Sequence, residues 1–285
     1  MNYDLLISVE QLQGLMDSKT PTMMFDCTFD LADSAAGHNH FVDSHIPGAV
    51  YADLDKALSD KTGAGVSGGR HPLPSREKFA TWLSSVGLTH DMQAVVYDRN
   101  AANYCGRLWW MLKWVGHANA AVLDGGLQAW QATGGAVYRG PEAPNTPSKY
   151  AVAQSLYTLV ATKTVADNLA RPIQTLIDAR GAPRFRGEVE PLDPVAGHIP
   201  GALNRPFSQN MTPEGKFKPA AVLKAEFEAL LAGRDPASVV HHCGSGVSAV
   251  PNILAMQIAG LGMTGLYAGS WSDWCSDASR PMAQG

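Results

Sequence analysis

The chain has 285 residues, a formal net charge of −4, 45% hydrophobic residues and 17% charged residues. It is long enough for two domains of ordinary size, and its composition is that of a folded globular protein. The negative net charge argues against a nucleic-acid or membrane-surface partner, and we find neither a signal peptide nor a transmembrane run, so we expect a cytoplasmic protein.

In the first half, short apolar strands alternate with amphipathic helical stretches, a pattern typical of an α/β unit. A strand at Met23–Asp26 ends in aspartate, and the motif His-Ile-Pro-Gly-Ala follows at His45–Ala49. A helical stretch covers Glu77–Val86, and another strand covers Val95–Asp98. The half closes with an apolar, glycine-containing segment at Leu123–Trp130.

The second half repeats this order. A strand ending in aspartate lies at Thr175–Asp178, and the same five-residue motif recurs at His198–Ala202. A helical stretch at Ala220–Leu231 precedes a strand at Ser238–His242, and the half closes at Tyr267–Trp274. Five features in the same order indicate a duplication. We predict two tandem domains, each a mainly parallel sheet flanked by helices.

The Gly- and Pro-rich stretch Thr133–Ser148 is typical of a linker. We therefore expect an inactive domain at 1–135, a linker at 136–160 and a catalytic domain at 161–285. The offset between the halves falls from 153 residues at the repeated motif to 144 at the following strand, so the first half has nine additional residues. These lie between Val50 and Ala94, and we expect them to reach the active half. The same offset aligns Arg99 with Cys243.

Residues 243–249, Cys-Gly-Ser-Gly-Val-Ser-Ala, lie between a predicted strand and a predicted helix. A thiol there faces exposed backbone N–H groups and the positive end of the helix dipole, and both favour the nucleophilic thiolate. We therefore predict Cys243 as a nucleophile. The backbone of Gly244, Gly246, Val247 and Ser248 supplies the N–H donors for a bound sulfur anion.

Three types of chemistry fit such a loop. Gly244-x-Gly246-x-x-Ala249 matches a dinucleotide fingerprint, but the acidic residue expected about 20 positions later is missing. A cysteine phosphatase needs an arginine at position 249, where this chain has alanine. Sulfur transfer through a cysteine persulfide needs a thiolate within a ring of N–H donors, and the loop meets that need.

The Cys243 loop resembles that of the 3-mercaptopyruvate sulfurtransferases in the two-domain rhodanese family. The resemblance also includes both His-Ile-Pro-Gly-Ala motifs, Ile177–Arg180, Arg184–Gly187 and the ending Tyr267–Trp274. It implies a proton relay of Ser245, His71 and Asp55, and Arg184 as a ligand of the donor carboxylate. A second family arginine is absent from the segment 188–193, and the sequence leaves three substitutes open: Arg70, Arg186 and Arg205.

The resemblance implies that Cys243 takes sulfur from 3-mercaptopyruvate, releases pyruvate and passes the sulfur to a thiol, such as a thioredoxin-like protein, or to cyanide. Thiosulfate as donor and a non-catalytic persulfide carrier remain alternatives. We expect neither a metal nor an organic cofactor.

Several other polar residues fit a structural role better than a chemical one. His45 and His198, like Asp26 and Asp178, occur in both halves, active and inactive. His241 and His242 point to opposite faces of a strand and so are poorly placed to share a metal with Cys243, although His242 could still tune the thiol. We expect three further cysteines to be inert: Cys27, Cys105 and Cys275. We expect three tryptophans to pack in the core or between the domains: Trp109, Trp110 and Trp114.

Overall fold

The computed structural model describes residues 2–285, which form two compact units. The first unit contains the residues up to 60, 74–156 and 213–216; the second contains 61–73, 157–212 and 217–285. Residues 61–73, which come from the first half of the sequence, therefore belong to the second unit. We call them the His71 segment.

The first unit has a five-stranded parallel sheet in the order β1-β5-β4-β2-β3. Its strands are β1 (Leu6–Ile7), β2 (Thr22–Asp26), β3 (Val50–Tyr51), β4 (Gln93–Tyr97) and β5 (Ala120–Leu123). Its helices are α1 (Val9–Asp17), α2 (Ala36–Asp43), α3 (Arg76–Ser85), α4 (Cys105–Trp114) and α5 (Gly126–Ala132).

Successive side chains of a strand point to opposite faces of the sheet. The strands of this sheet have apolar side chains on both faces, and helices cover both. Met24 and Val95 join the apolar cluster that contains residues of α1, α2 and α5. Phe25 points the other way and contacts Trp82 of α3, with ring centroids 5.9 Å apart. The helix α4 is buried along its whole length, and its three tryptophans lie in the core as predicted.

The second unit has a four-stranded parallel sheet in the order β7-β6-β8-β9. Its strands are β6 (Thr175–Asp178), β7 (Leu203–Asn204), β8 (Val239–His242) and β9 (Gly265–Leu266). Its α-helices are α6 (Thr162–Asp167), α7 (Ala182–Phe185), α8 (Ala220–Leu231), α9 (Val250–Ile258) and α10 (Ser270–Trp274). A parallel bridge between Leu159 and Leu266 extends this sheet as β1 extends the first.

The strand register corrects the alignment of the two halves by one residue. Asp26 pairs with Tyr97 in the first sheet, and Asp178 pairs with His242 in the second. Asp98 is therefore the counterpart of Cys243; the expectation of Arg99 was wrong, and the first half has eight additional residues instead of nine. The sequence alignment had matched the apolar pairs of β4 and β8 by composition, which does not determine strand register. A one-residue shift in register turns every strand side chain to the opposite face of the sheet.

No helix among residues 2–285 is long and apolar enough to span a membrane. Within the same residues, no group of three or more His, Cys, Asp or Glu side chains is placed to hold a metal ion.

Candidate active site

Cys243 directly follows β8 and begins a buried loop that ends at the start of α9. The loop is held against the start of α10: the Trp271 N–H donates to the Cys243 carbonyl at 2.9 Å, and the Ser272 N–H donates to the Gly244 carbonyl at 2.9 Å. The Cys243 N–H in turn donates to Ser270 Oγ at 3.1 Å. These bonds fix the backbone on which the thiol is carried.

Gly246 is required by the fold of this loop. Its φ of +74° is a left-handed conformation, and a Cβ there would lie 2.3 Å from the Ala268 carbonyl oxygen. Val247 is buried, and Ser248 is partly exposed. The predicted N–H donors thus belong to a tightly turned backbone next to Cys243.

The corresponding loop in the first unit, which begins at Asp98, surrounds the carboxylate of that residue. One Asp98 carboxylate oxygen accepts from the Asn100 and Ala102 N–H groups at 2.8 and 3.1 Å. The other accepts from the Tyr104 and Cys105 N–H groups at 2.8 and 2.9 Å. The loop between β4 and α4 is therefore a ring of backbone donors around a carboxylate.

The two loops correspond closely. α4 begins at Cys105 and α9 at Val250, so both helices start seven residues after Asp98 or Cys243. The Leu127 N–H donates to the Asp98 carbonyl at 3.2 Å, as the Trp271 N–H does to that of Cys243. Cys243 thus stands at the chain position where the first unit has Asp98.

The His71 segment brings His71 to this loop. His71 Nδ1 lies 2.7 Å from Ser245 Oγ, and both side chains are buried. Gly69 permits the approach: its φ is +86°, and a Cβ there would lie 2.6 Å from the Gly269 carbonyl oxygen. Ser245 and His71 therefore meet as predicted. Asp55 belongs to the first unit, where its N–H donates to Asp53, and its place in the relay stays a prediction.

Two arginine side chains end beside the same loop. A Cβ built on Gly244 would lie 2.9 Å from Arg70 Nη2 and 3.6 Å from Arg184 Nη1. Of the other two substitutes, Arg186 is half exposed and pairs with Glu188. Arg205 pairs with Glu226 and lies over the ring of Phe227. Arg70 is the one of the three that the fold places next to Gly244.

Acidic residues neutralise these arginines. Arg184 donates to Glu190 at 2.7 Å and to Asp193 at 3.2 Å, and Arg70 forms an ion pair with the same Asp193. Burial opposes ionisation of Glu190, but hydrogen bonds from Arg184 and from backbone N–H groups hold its pKa below the usual value. Glu190 also pairs with Arg180, which in turn pairs with Asp178. The three arginines and three carboxylates sum to a formal charge of zero.

Known proteins resemble this chain along its whole length. The rhodanese-like domain family matches residues 8–133 and 161–277. A probable 3-mercaptopyruvate sulfurtransferase of Pseudomonas aeruginosa is 42% identical over 281 residues, 98% of either chain. A putative thiosulfate sulfurtransferase, SseB of Mycobacterium tuberculosis, is 38% identical over 283 residues, 98% of this chain and 97% of that protein.

Solved structures of similar proteins have the same fold. The Tum1 protein of Saccharomyces cerevisiae superposes with a TM-score of 0.85 at 27% identity, covering 100% of this chain and 99% of that one. The 3-mercaptopyruvate sulfotransferase SseA of Escherichia coli superposes with a TM-score of 0.78 at 30% identity, covering 95% and 100%. The chain belongs to the rhodanese family. The predicted family and the α/β fold of two rhodanese-like domains are confirmed.

The remaining cysteines of this rhodanese-family protein are buried. Burial raises the pKa of Cys27 and Cys105 well above the usual thiol value, and it also raises that of Cys275. A high pKa keeps a thiol protonated at neutral pH, so these three are poor nucleophiles.

The histidines of the repeated motif have matching structural positions in the two rhodanese-like domains. His45 Nδ1 lies 2.6 Å from the Phe41 carbonyl oxygen, and its ring stacks on Phe41. His198 Nδ1 lies 2.8 Å from the Phe185 carbonyl oxygen, and its ring stacks on Phe185. These contacts favour the structural role that we expected.

The two histidines before Cys243 face opposite sides of the sheet. His241 Nε2 lies 3.3 Å from Met256 Sδ, and burial lowers the pKa of His241 to about 3. His242 Nδ1 lies 3.8 Å from Asp178, and burial also lowers its pKa. Both rings are fully buried. Their positions favour a role in the core over one in metal binding.

Sequence reasoning missed the acidic residues that hold the arginines. Glu190 and Asp193 lie in the segment that lacks the second family arginine, and both side chains are almost fully buried. Carboxylates in a loop usually lie in solvent. Their spacing of three residues, following Arg184 by six and nine, was the available signal.

Proposed function

We propose that the protein is a 3-mercaptopyruvate sulfurtransferase that works through a persulfide on Cys243. The names of curated relatives support an enzyme of the transferase class. The observation that carries the proposal is the arrangement at one loop of a cysteine, a His–Ser pair and two guanidinium groups.

In the first half-reaction the Cys243 thiolate attacks the sulfur of 3-mercaptopyruvate. The new S–S bond forms as the C–S bond breaks, and its electron pair leaves on carbon as the enolate of pyruvate. The proton of the donor thiol reaches that carbon through Ser245 and His71, which are 2.7 Å apart. The products are pyruvate and a Cys243 persulfide anion.

In the second half-reaction an acceptor removes the outer sulfur and regenerates the thiolate. A thiol or cyanide attacks that sulfur, and the Cys243 thiolate is the leaving group. The loop N–H groups stabilise the anion in both states, as the first domain's loop does for its own carboxylate. A thioredoxin-like protein as the acceptor and a cytoplasmic location are part of the same proposal.

The charge of the site favours 3-mercaptopyruvate over thiosulfate. 3-Mercaptopyruvate has one negative charge, whereas thiosulfate has two. Because Glu190 and Asp193 neutralise Arg184 and Arg70, a dianion would gain little from this site. Thiosulfate stays the second candidate because the Mycobacterium tuberculosis relative is named for it.

The test is the turnover of both donors by the purified protein with cyanide as acceptor. We expect kcat/KM for 3-mercaptopyruvate to exceed that for thiosulfate by about tenfold or more, the factor that about 1.4 kcal/mol of differential binding produces. Pyruvate and thiocyanate should form in equal amounts. Faster thiosulfate turnover would overturn the choice of donor.

Two variants test the nucleophile. Cys243→Ser should abolish turnover of both donors, whereas Cys275→Ser removes another thiol of the same unit and should keep it. Mass spectrometry after exposure to the donor should find one added sulfur on the peptide that contains Cys243. A persulfide that forms once but supports no further turnover would indicate a sulfur carrier instead of an enzyme.

A further inference from the structure

The first unit has a cavity whose residues take no part in the proposed function. Its volume is about 540 Å³, within the range of small-molecule sites in proteins. All of the lining residues belong to the first unit. They come from α2, from β3 and the two residues before it, from the end of α3, and from residues 141–145. We call this space the Glu142 cavity.

Residues 141–145 form one wall of the Glu142 cavity, and hydrogen bonds fix this wall near both of its ends. Glu142 Oε1 accepts from the Gly48 N–H at 2.6 Å. Three residues beyond the wall, the Ser148 N–H donates to the carbonyl of Ser84 in α3 at 2.8 Å. The cavity is therefore formed before any ligand binds, which lowers the entropy cost of binding.

Aromatic rings form the apolar side of the Glu142 cavity. The ring centroid of Tyr51 lies 5.4 Å from those of Phe41 and His38. The Tyr51 hydroxyl donates to the Thr28 carbonyl at 3.1 Å, which holds the ring in place. Burial raises the pKa of Tyr51, so the phenol stays uncharged. Such a group of rings packs well against another aromatic ring and attracts a cation.

Glu142 gives the cavity its charge. Among the lining residues within 2–285, it is the only Asp or Glu, and none is Lys or Arg. Its Oε1 has two partners, the Gly48 N–H and, at 3.1 Å, His45 Nε2. Its Oε2 has none among the described residues, and the side chain is 27% exposed. A ligand with a charged N–H group would gain a charge-assisted hydrogen bond at that oxygen.

We propose that the Glu142 cavity binds a small aromatic amine. The aromatic ring of the ligand packs against Tyr51, and its protonated amino group donates to Glu142 Oε2. The same carboxylate repels anions, so neither 3-mercaptopyruvate nor thiosulfate fits this site. The proposal goes beyond the proposed function and does not depend on it.

Three probes that differ mainly in charge test the proposal: 2-phenylethylamine is a cation at neutral pH, 2-phenylethanol is neutral and phenylacetate is an anion. Each is titrated into the full-length protein, and the amide NMR signals of Val50 and Tyr51, which line the cavity, report binding. We expect 2-phenylethylamine to bind about tenfold tighter than 2-phenylethanol, and phenylacetate to bind more weakly than either.

Two substitutions test the contact with Glu142. Glu142→Gln should bring the Kd values of the amine and the alcohol to within about twofold of each other. Glu77→Gln removes an exposed carboxylate of α3 in the same unit and should keep the preference of about tenfold. The Kd of 2-phenylethanol should change less than about twofold in Glu142→Gln, because an uncharged probe does not need the carboxylate, and this result would show that the wall is intact.

Each of the other outcomes would overturn the proposal. Equal binding of the amine and the alcohol to the wild type would mean that the cavity does not recognise a cation. A preference that survives in Glu142→Gln would place the amine at another carboxylate. Loss of both probes in Glu142→Gln would mean that Glu142 only holds the wall. Unchanged amide signals with every probe at millimolar concentrations would mean that the cavity binds no such ligand.

Discussion

The carboxylate of Asp98 accepts from four backbone N–H groups, and those of Ala102, Tyr104 and Cys105 would otherwise be buried without acceptors. Charge-assisted hydrogen bonds of this kind are stronger than neutral ones. A buried donor without a partner costs free energy because water cannot replace the lost acceptor. Asp98 is thus a structural residue at the position where the other domain has Cys243.

Replacing Asp98 should destabilise the protein without touching the site of sulfur transfer. Asp98→Asn keeps the shape but places an NH₂ group against N–H donors, and we expect a loss of about 3 kcal/mol in the free energy of unfolding. Denaturant unfolding measures it. Asp91→Asn, an exposed carboxylate in the same unit, is the matched control, and equal effects of the two changes would contradict the role of Asp98.

The contact between His71 and Ser245 predicts that the two residues act together. His71→Gln and Ser245→Ala should each lower kcat with 3-mercaptopyruvate by about 100-fold, the usual contribution of a positioned proton-transfer group. The double variant should be little slower than either single one, because each change already interrupts the same proton path. Multiplicative losses, measured by pyruvate release, would show that the residues act separately.

Among single residues, the sequence predicted those whose role depends on a local motif. Cys243 follows from a strand, a glycine loop and a helix. The place of Arg70 depends on Gly69, Ser272 and Asp193, which are far from it in sequence. Such a contact has no local signal, so the sequence did not distinguish Arg70 from Arg186 and Arg205.

At the level of elements, the strands and helices to which the sequence assigned bounds lie within two residues of those bounds, whereas the two-residue strands β1, β3, β7 and β9 were not located. The predicted helix at Glu77–Val86 is α3 at Arg76–Ser85, and α8 has the predicted bounds. Register was the weaker inference: β4 ends at Tyr97, one residue before the aspartate that the sequence suggested. Periodicity defines which residues alternate, whereas register depends on the pairing of strands distant in sequence.

His117, which follows α4, makes the stability of the first domain depend on pH. Burial, with His90 and Lys113 nearby, lowers its pKa from 6.5 to about 4. The unfolded chain therefore binds the proton more readily. The contribution of the neutral ring to stability is present above pH 6.5 and is lost as the pH falls toward 4.

We expect the free energy of unfolding to fall by about 2 kcal/mol between pH 6.5 and about pH 5, because His117 is protonated more readily in the unfolded chain. Urea unfolding across that range measures the slope. His117→Gln should reduce the slope without removing it, because the buried His241 and His242 also have lowered pKa values. His38→Gln, an exposed histidine of the same unit, is the control. An unchanged slope in His117→Gln would contradict the role of His117.

On the scale of the whole molecule, the division of the residues into two units does not follow their order in the sequence. Residues 61–73 lie in the first half of the sequence but pack with the second unit. The offset between the repeats showed that the first half has additional residues in this region. We expected these residues to reach the active half, as residues 61–73 do. The offset did not show which of them do so or what they contact, because an insertion has no counterpart from which its contacts can be inferred.

Alanine substitutions at two glycines of the His71 segment test whether the position of this segment against the Cys243 loop affects activity. Gly69 and Gly63 both have a φ near +90°, so alanine strains the backbone at either place. A Cβ at Gly69 would meet the Gly269 carbonyl oxygen at 2.6 Å, whereas one at Gly63 has open space. Gly69→Ala should lower kcat/KM about tenfold or more, and Gly63→Ala less than about twofold. Similar losses would mean that the contact with Gly269 is unimportant.

The oxygens of the Asp98 carboxylate can be compared with the sulfur atoms of Cys243 in the two states of the proposed reaction. These oxygens are two bonds from Cβ, as is the outer sulfur of a cysteine persulfide, whereas a thiolate sulfur is only one bond away. Under the proposed function, the first domain thus has an anion as many bonds from its backbone as the persulfide of the second domain. Amide spectra of Tyr104 and Cys105 should therefore serve as a standard that Ala249 and Val250 approach when sulfur is loaded and leave when it is discharged.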